Sequence, residues 1–249
     1  MFPDRPSNAS GVPLLRIDAL VKRFGGFRAL DGVSFHVKAG EILGLVGPNG
    51  SGKTTCINVI SGLYRPDGGA IDYRGRSIGG LKSHKLVHLG INRTFQVPKP
   101  FLTLTVRENV EVAATYGRSE GGALDIEALL ASLELDAQAS RPAAELNSVQ
   151  QKMLDLARAL ATKPRLLCID ELAAGLNPAE LDRVAEKLRA LAREGTALLV
   201  VEHLMGFIDH VTDRVIVLNA GKEIFEGALS AAVRDSQVVE VFLGTEDGS

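Results

Sequence analysis

Two patterns of apolar positions run through this chain. Alternating apolar and polar residues in Leu14–Leu20 and Val33–Val37 predict half-buried strands, and Tyr64–Tyr73 reads as a Pro-Asp-Gly-Gly turn feeding a short strand at Ile71-Asp72-Tyr73. The unbroken runs Ile42–Val46, Leu166–Ile169, Ala197–Val201 and Val215–Leu218 instead predict strands buried on both faces. Helical spacing at Pro178–Arg193 and Leu204–His210 separates the last three runs, a rhythm that implies a parallel sheet with helices on each side. Between Leu81 and about Ala161 the spacing turns helical, in Val106–Ala114, Ile126–Leu135 and Met153–Leu160, so residues 94–156 read as a mostly helical insert. Lys222–Gly227 then predicts a terminal strand and Ala231–Leu243 a closing helix. Early antiparallel strands beside a parallel core make a mixed layout.

The run Ile42–Val46 leads into Gly47-Pro48-Asn49-Gly50-Ser51-Gly52-Lys53-Thr54-Thr55, and an apolar stretch from Cys56 leads out without a breaker. A buried strand, a glycine-rich turn and a helix are the setting that a phosphate-binding loop requires. Gly47, Gly50 and Gly52 let consecutive backbone N–H groups face one concavity, and the helix N-terminus adds positive potential. Lys53 can reach the β- and γ-phosphates, and the Thr54 hydroxyl can ligate Mg²⁺. The loop therefore predicts binding of a nucleoside triphosphate. No internal repeat is visible, which limits the chain to one such unit.

Bulk properties narrow the class. With 249 residues, 45% hydrophobic and 23% charged, the chain can bury a large core, and a formal charge of −2 offers no electrostatic case for nucleic acid. Its two cysteines, Cys56 and Cys168, lie in apolar segments and read as reduced core residues rather than a disulfide or metal framework. No stretch approaches the roughly 18 apolar residues that cross a bilayer, so any membrane role is that of a peripheral subunit. Residues 1–12, rich in Pro, Ser and Asn, read as a disordered leader.

Leu166–Ile169 ends in Asp170 and Glu171. Strands of a parallel sheet deliver their C-terminal residues to the edge where the phosphate loop sits. There Asp170 would hold Mg²⁺ through water and Glu171 would polarise the water that attacks the γ-phosphate, whereas on their own the two would read as a helix N-cap with an acidic neighbour. His203, after Ala197–Val201 and Glu202, reaches the same edge, within range of the γ-phosphate and the attacking water. Gln96, in Arg93-Thr94-Phe95-Gln96, could touch Mg²⁺ or water where the insert begins. Phe24 or its rival Phe27, in Arg23-Phe24-Gly25-Gly26-Phe27, could stack on an adenine ring, and either could instead be core.

Together Phe24–Gly26, Gly47–Thr55, Arg93–Gln96, Leu166–Glu171, Ala173–Pro178 and Glu202-His203 resemble the ATP-binding-cassette (ABC) ATPases, in the expected order over nearly the whole chain. More narrowly they resemble the ATPase subunits of branched-chain amino-acid importers. The resemblance implies an α/β fold: a P-loop NTPase (RecA-like) parallel-sheet core, here residues 13–93 and 157–249, with an antiparallel β subdomain and the helical insert. It implies an ATP- and Mg²⁺-dependent ATPase on the cytoplasmic face of the inner membrane, bound to transmembrane permeases and served by an extracytoplasmic solute-binding protein. Two such subunits sandwich ATP head to tail, each phosphate loop facing the partner's signature motif. Gln96 and Val97–Tyr116 would form the lever to the permease, and Ala174–Asn177 the loop between the two sites.

Two departures stand out. The family's Leu-Ser-Gly-Gly-Gln signature falls at Leu146-Asn147-Ser148-Val149-Gln150, before a helix expected over Gln151–Ala161, and Val149 replaces the second glycine. A β-branched side chain there would hinder close approach to the partner's γ-phosphate. Leu172 replaces the proline that generally follows the catalytic glutamate. An intact hydrolytic set beside an altered signature predicts a heterodimer with one dominant site. The alternative is a nucleotide-binding structural subunit with little turnover of its own. Cassette proteins acting on ribosomes or DNA need tandem cassettes or a long coiled-coil insertion, and the chain carries neither.

Overall fold

The computed structural model describes residues 13–117 and 124–243; the leader expected at residues 1–12 lies outside them. The chain opens with β1 (Leu15–Phe24) and β2 (Phe27–Val37), then β3 (Ile42–Val46) and α1 (Lys53–Ile60) on either side of the glycine-rich loop. β4 (Gly68–Tyr73), β5 (Arg76–Ser77), α2 (Ser83–Leu89) and β6 (Ile91–Arg93) follow. The insert contains α3 (Val106–Tyr116), α4 (Ile126–Ala131) and the first part of α5 (Ser148–Ala161), a helix that runs unbroken past the expected boundary at residue 156. The chain continues through β7 (Leu166–Asp170), α6 (Pro178–Arg193), β8 (Ala197–Val201), α7 (Met205–Val211), β9 (Arg214–Asn219) and β10 (Lys222–Gly227), closing with α8 (Leu229–Ala232) and α9 (Ser236–Leu243).

β2-β1-β4-β5 form an antiparallel sheet, and β10-β9-β3-β8-β7-β6 a sheet that is parallel except for β10. In β7, Leu166 and Cys168 enter the core on the side of α1 and the antiparallel sheet, while Leu167 and Ile169 enter the core shared with the insert and α6. β8 divides in the same way, Leu199 and Val201 against Leu198 and Val200. Both faces are therefore apolar, and the period-2 alternation is hidden in a continuous hydrophobic run.

The first hairpin is longer than its alternation predicts. Its turn shrinks to Gly25-Gly26, Phe24 pairs with Phe27 across it, and both rings are exposed rather than core. The helix expected to Leu135 stops at Ala131, and Glu134 takes a left-handed backbone, φ 57°, that no helix continues. The expected closing helix splits in two, because the Asp235 carboxylate accepts from the N–H groups of Gln237 and Val238 and starts a fresh turn. α2 and the three-residue β6 were not legible as separate elements. Cys56 and Cys168 are buried free thiols, and burial pushes Cys168 up to about 12.

The candidate nucleotide site

The order β3-β8-β7-β6 fixes the site. Neighbouring parallel strands end at one edge, so the phosphate loop after β3, Glu202-His203 after β8, Asp170-Glu171 at the end of β7 and Thr94–Gln96 after β6 arrive side by side. The loop itself is held tightly. A Cβ on Gly47, whose φ is +145°, would stand 2.1 Å from the Leu218 carbonyl oxygen, and one on Gly52, φ +108°, 2.5 Å from that of Ala29. Ser51 N–H donates to the Pro48 carbonyl, while the Ser51 carbonyl accepts from Gly221 in the β9–β10 turn. Lys53 is buried, and its ammonium donates to the carbonyls of Gly47 (2.8 Å) and Pro48 (2.9 Å). Burial draws its pKa down, against the pull of Glu171 and Asp170.

Asp170 is buried and paired with Arg93 at 3.1 Å, an ion pair spanning β6 and β7. Burial pushes the Asp170 carboxyl up, opposed chiefly by Arg93. Arg93 also bonds Asn58 of α1, the Ser61 that follows that helix and the Thr94 carbonyl, and its guanidinium lies over the Phe95 ring. The second Asp170 oxygen, Oδ1, is buried without a hydrogen-bond partner, as is Ser51 Oγ. Thr54 is exposed at the start of α1, its hydroxyl beside Asp170.

Glu171 lies between two side chains. Gln96 Nε2 donates to one carboxylate oxygen at 2.6 Å, and His203 Nε2 meets the other at 2.9 Å. Its backbone sits in the left-handed region, φ 51°, with its N–H bonded to the Val201 carbonyl at 2.9 Å. Such a conformation is costly for a residue with a Cβ and persists only where surroundings impose it. Two neighbours impose it. Glu202, 2% exposed, accepts the Ala173 N–H at 2.7 Å, and Lys152 of α5 donates to backbone carbonyls of the same turn. Burial pushes Glu202 up to about 7.

Asn49, Gly50, Thr54 and Thr55 lie along the open side of the loop, with Asn49 and Gly50 exposed. Phe24 stands at the hairpin tip with its ring edge-on to Tyr64 at 5.2 Å and Lys22 above it. The signature residues lie apart, and the structure corrects their setting. Helix α5 begins at Ser148, not Gln151, with Asn147 as its cap. Asn147 Oδ1 accepts from Gln150 N–H at 2.8 Å, and Gln150 Oε1 accepts from Asn147 N–H at 3.1 Å. Val149 is half-buried in a cleft with Leu133, Met153, Leu176 and Val184. Sequence reasoning missed Arg93, Lys152 and Glu202 as site-forming residues; the one available signal was a charge set among buried segments.

A glycine-rich loop at a helix start is suited to phosphate, and a carboxylate two strands away lies at the same sheet edge: this is the arrangement of a P-loop ATPase. The chain belongs to the ABC transporter family, whose model matches residues 30–174. It is 35% identical to the high-affinity branched-chain amino acid transport ATP-binding protein BraF of Pseudomonas aeruginosa, over 93% of this chain and 98% of that one. Identity to a probable branched-chain amino acid transport ATP-binding protein, LivG, of Archaeoglobus fulgidus is 37%, covering 94% and 96%. A crystal structure of a nucleotide-free ATP-binding cassette from an ABC transporter superposes with TM-score 0.83 at 31% identity, covering 93% of this chain and 99% of the other. A cassette in its ADP conformation gives 0.82 at 32% identity, with 94% and 99% covered. The fold is thus that of an ABC ATPase, and the chain is an ATP-binding ATPase subunit. Among the described residues no helix is long and apolar enough to cross a membrane.

Proposed function

We propose that this chain powers an importer of amino acids, branched-chain ones or a related small polar solute, by Mg²⁺-dependent ATP hydrolysis. The observation that carries the reading is Glu171 held between Gln96 and His203 at the edge that bears the phosphate loop. The relatives' names supply the cargo class.

In this reading the N–H groups of Gly47–Thr55 and the Lys53 ammonium grip the triphosphate, exchanging the Gly47 and Pro48 carbonyls for phosphate oxygens. Phe24 offers a ring face to the adenine. Glu171 accepts a proton from the attacking water, His203 orients the carboxylate and the γ-phosphate, and Gln96 reports the state of both to the insert. The residues fit Mg²⁺: Asp170 Oδ1 is buried and unpartnered, with the Thr54 hydroxyl beside it, and Gln96 is bonded to the adjacent Glu171. When bound, the ion neutralises charge on the β- and γ-phosphate oxygens.

Gln96 and Val97–Tyr116 act as the lever, with the exposed Val97, Phe101, Leu102 and Tyr116 available to permease subunits. The chain sits peripherally on the cytoplasmic face of the inner membrane, downstream of a solute-binding protein. A second cassette subunit completes the ATP sandwich, and Val149 favours a partner of different sequence. No observation favours a structural subunit without turnover.

Calorimetry with Mg²⁺ and ATP tests the root of this reading. Lys53→Ala should abolish the binding heat and stop solute uptake by the assembled transporter; uptake that persisted in Lys53→Ala cells would overturn it. Turnover by the purified chain alone, as fast as that of the complex, would sink the heterodimer.

A further inference from the structure

The turn that follows the catalytic carboxylate is gripped from two sides. From the insert, Lys152 in the second turn of α5 sends its ammonium to three backbone carbonyls: Ala174 at 2.6 Å, Glu171 at 3.0 Å and Leu172 at 3.4 Å. From the core, the buried Glu202 carboxylate at the end of β8 holds the Ala173 N–H at 2.7 Å. One cation thus uses all three of its donors on one short segment, and a neighbouring carboxylate takes the N–H between them. Leu172 and Ala173 are buried under this grip, and Glu171 holds its left-handed backbone at the segment's start.

These contacts join elements far apart in function. Lys152 lies two residues beyond Gln150 on the helix that Asn147 caps, the end of the insert that displays the altered signature. The segment it holds begins at the catalytic carboxylate and runs into Ala174–Asn177. Apart from the apolar packing that the insert shares with α6, the polar contacts between them are exposed ones, Arg183 with Glu134 and Lys187 with Ser132, which screening and side-chain entropy leave weak. The Lys152 ammonium is half-buried, and burial lowers its pKa. A partly desolvated charge giving several hydrogen bonds makes the firmer connection.

We propose that Lys152 is a positioning residue for hydrolysis. It fixes the Glu171–Ala174 backbone, and with it the aim of the Glu171 carboxylate, to the helix that carries the signature turn. Docking of the insert against the core then arms this chain's own catalytic carboxylate, while Lys152 itself touches no nucleotide.

The test is steady-state ATPase and nucleotide binding on the full chain in its assembled transporter. Lys152→Met should lower kcat by about ten- to a hundredfold, the range expected of a misaligned catalytic group, with KM and ATP affinity little changed. Lys152→Arg, which keeps the charge and several donors, should restore most of the rate. In a Glu171→Gln background, Lys152→Met should leave the residual single-turnover rate where it was, because its effect runs through Glu171. A normal kcat in Lys152→Met, or parallel losses of binding and rate, would overturn the proposal. So would a further loss in the Glu171→Gln background. Should Lys152→Met fail to fold, Lys152→Gln gives the same split with one shortened, uncharged donor, and an unchanged kcat there would overturn the proposal equally.

Discussion

The strand-end edge and the Asn147–Gln150 turn are both polar, and they are built in opposite ways. At the edge each functional group is set by something behind it: Asp170 by Arg93, Glu171 by Gln96 and His203, Lys53 by the carbonyls of its own loop. Buried atoms there, Asp170 Oδ1 and Ser51 Oγ, lack partners, and Glu171 occupies a strained backbone. At the turn, Asn147 and Gln150 satisfy each other within a capping box and lean on nothing deeper. The first region holds its geometry at a cost in stability; the second is a helix start closed by its own two side chains.

The comparison breaks most visibly at Glu171. In the proposed mechanism Glu171→Gln keeps the shape and removes the base, so turnover should fall by about 10²–10⁴ while ATP affinity persists. Stopped-flow ATPase assays with a fluorescent nucleotide check both halves. A smaller structural loss should follow Arg93→Ala, which leaves Asp170 buried and uncompensated. Removing one partner of such a pair costs about 3–5 kcal/mol, measurable by urea unfolding.

Glu202 sharpens the contrast by pH. Its pKa is about 7 in the folded chain against an ordinary 4.5. The folded state therefore holds a proton that the unfolded state has released, and this group's contribution to stability, complete below about 4.5, is lost as pH rises to about 7. Glu202→Gln should flatten that slope, worth at most about 3 kcal/mol, in melts recorded across the window. The smallest effect belongs to the turn: Asn147→Ala removes one cap and should cost about 1 kcal/mol, with no change in the chain's own ATP affinity.

Much of this was legible in the sequence for physical reasons. Strands buried on both faces leave unmistakable apolar runs, and a phosphate loop between a strand and a helix has few other meanings. What escaped was short or assembled across long separations. β6 has three residues, too few for any periodicity, yet it carries Arg93 to Asp170 across 77 positions. Nothing local to Lys152 marks it for the carbonyls it holds, because that contact exists only once the insert has docked. The start of α5 was misplaced by three residues since Asn147 and Gln150 form a capping box that the expectation of a glycine-rich signature obscured.

The left-handed backbone at Glu171 has an evolutionary consequence. A lineage selected for heat resistance alone would find relief at this position by exchanging glutamate for glycine, which relaxes the strain and, in the proposed mechanism, removes the hydrolytic base in one step. On that reading a glutamate kept at 171, despite the backbone it must adopt, is the mark of a chain that hydrolyses ATP.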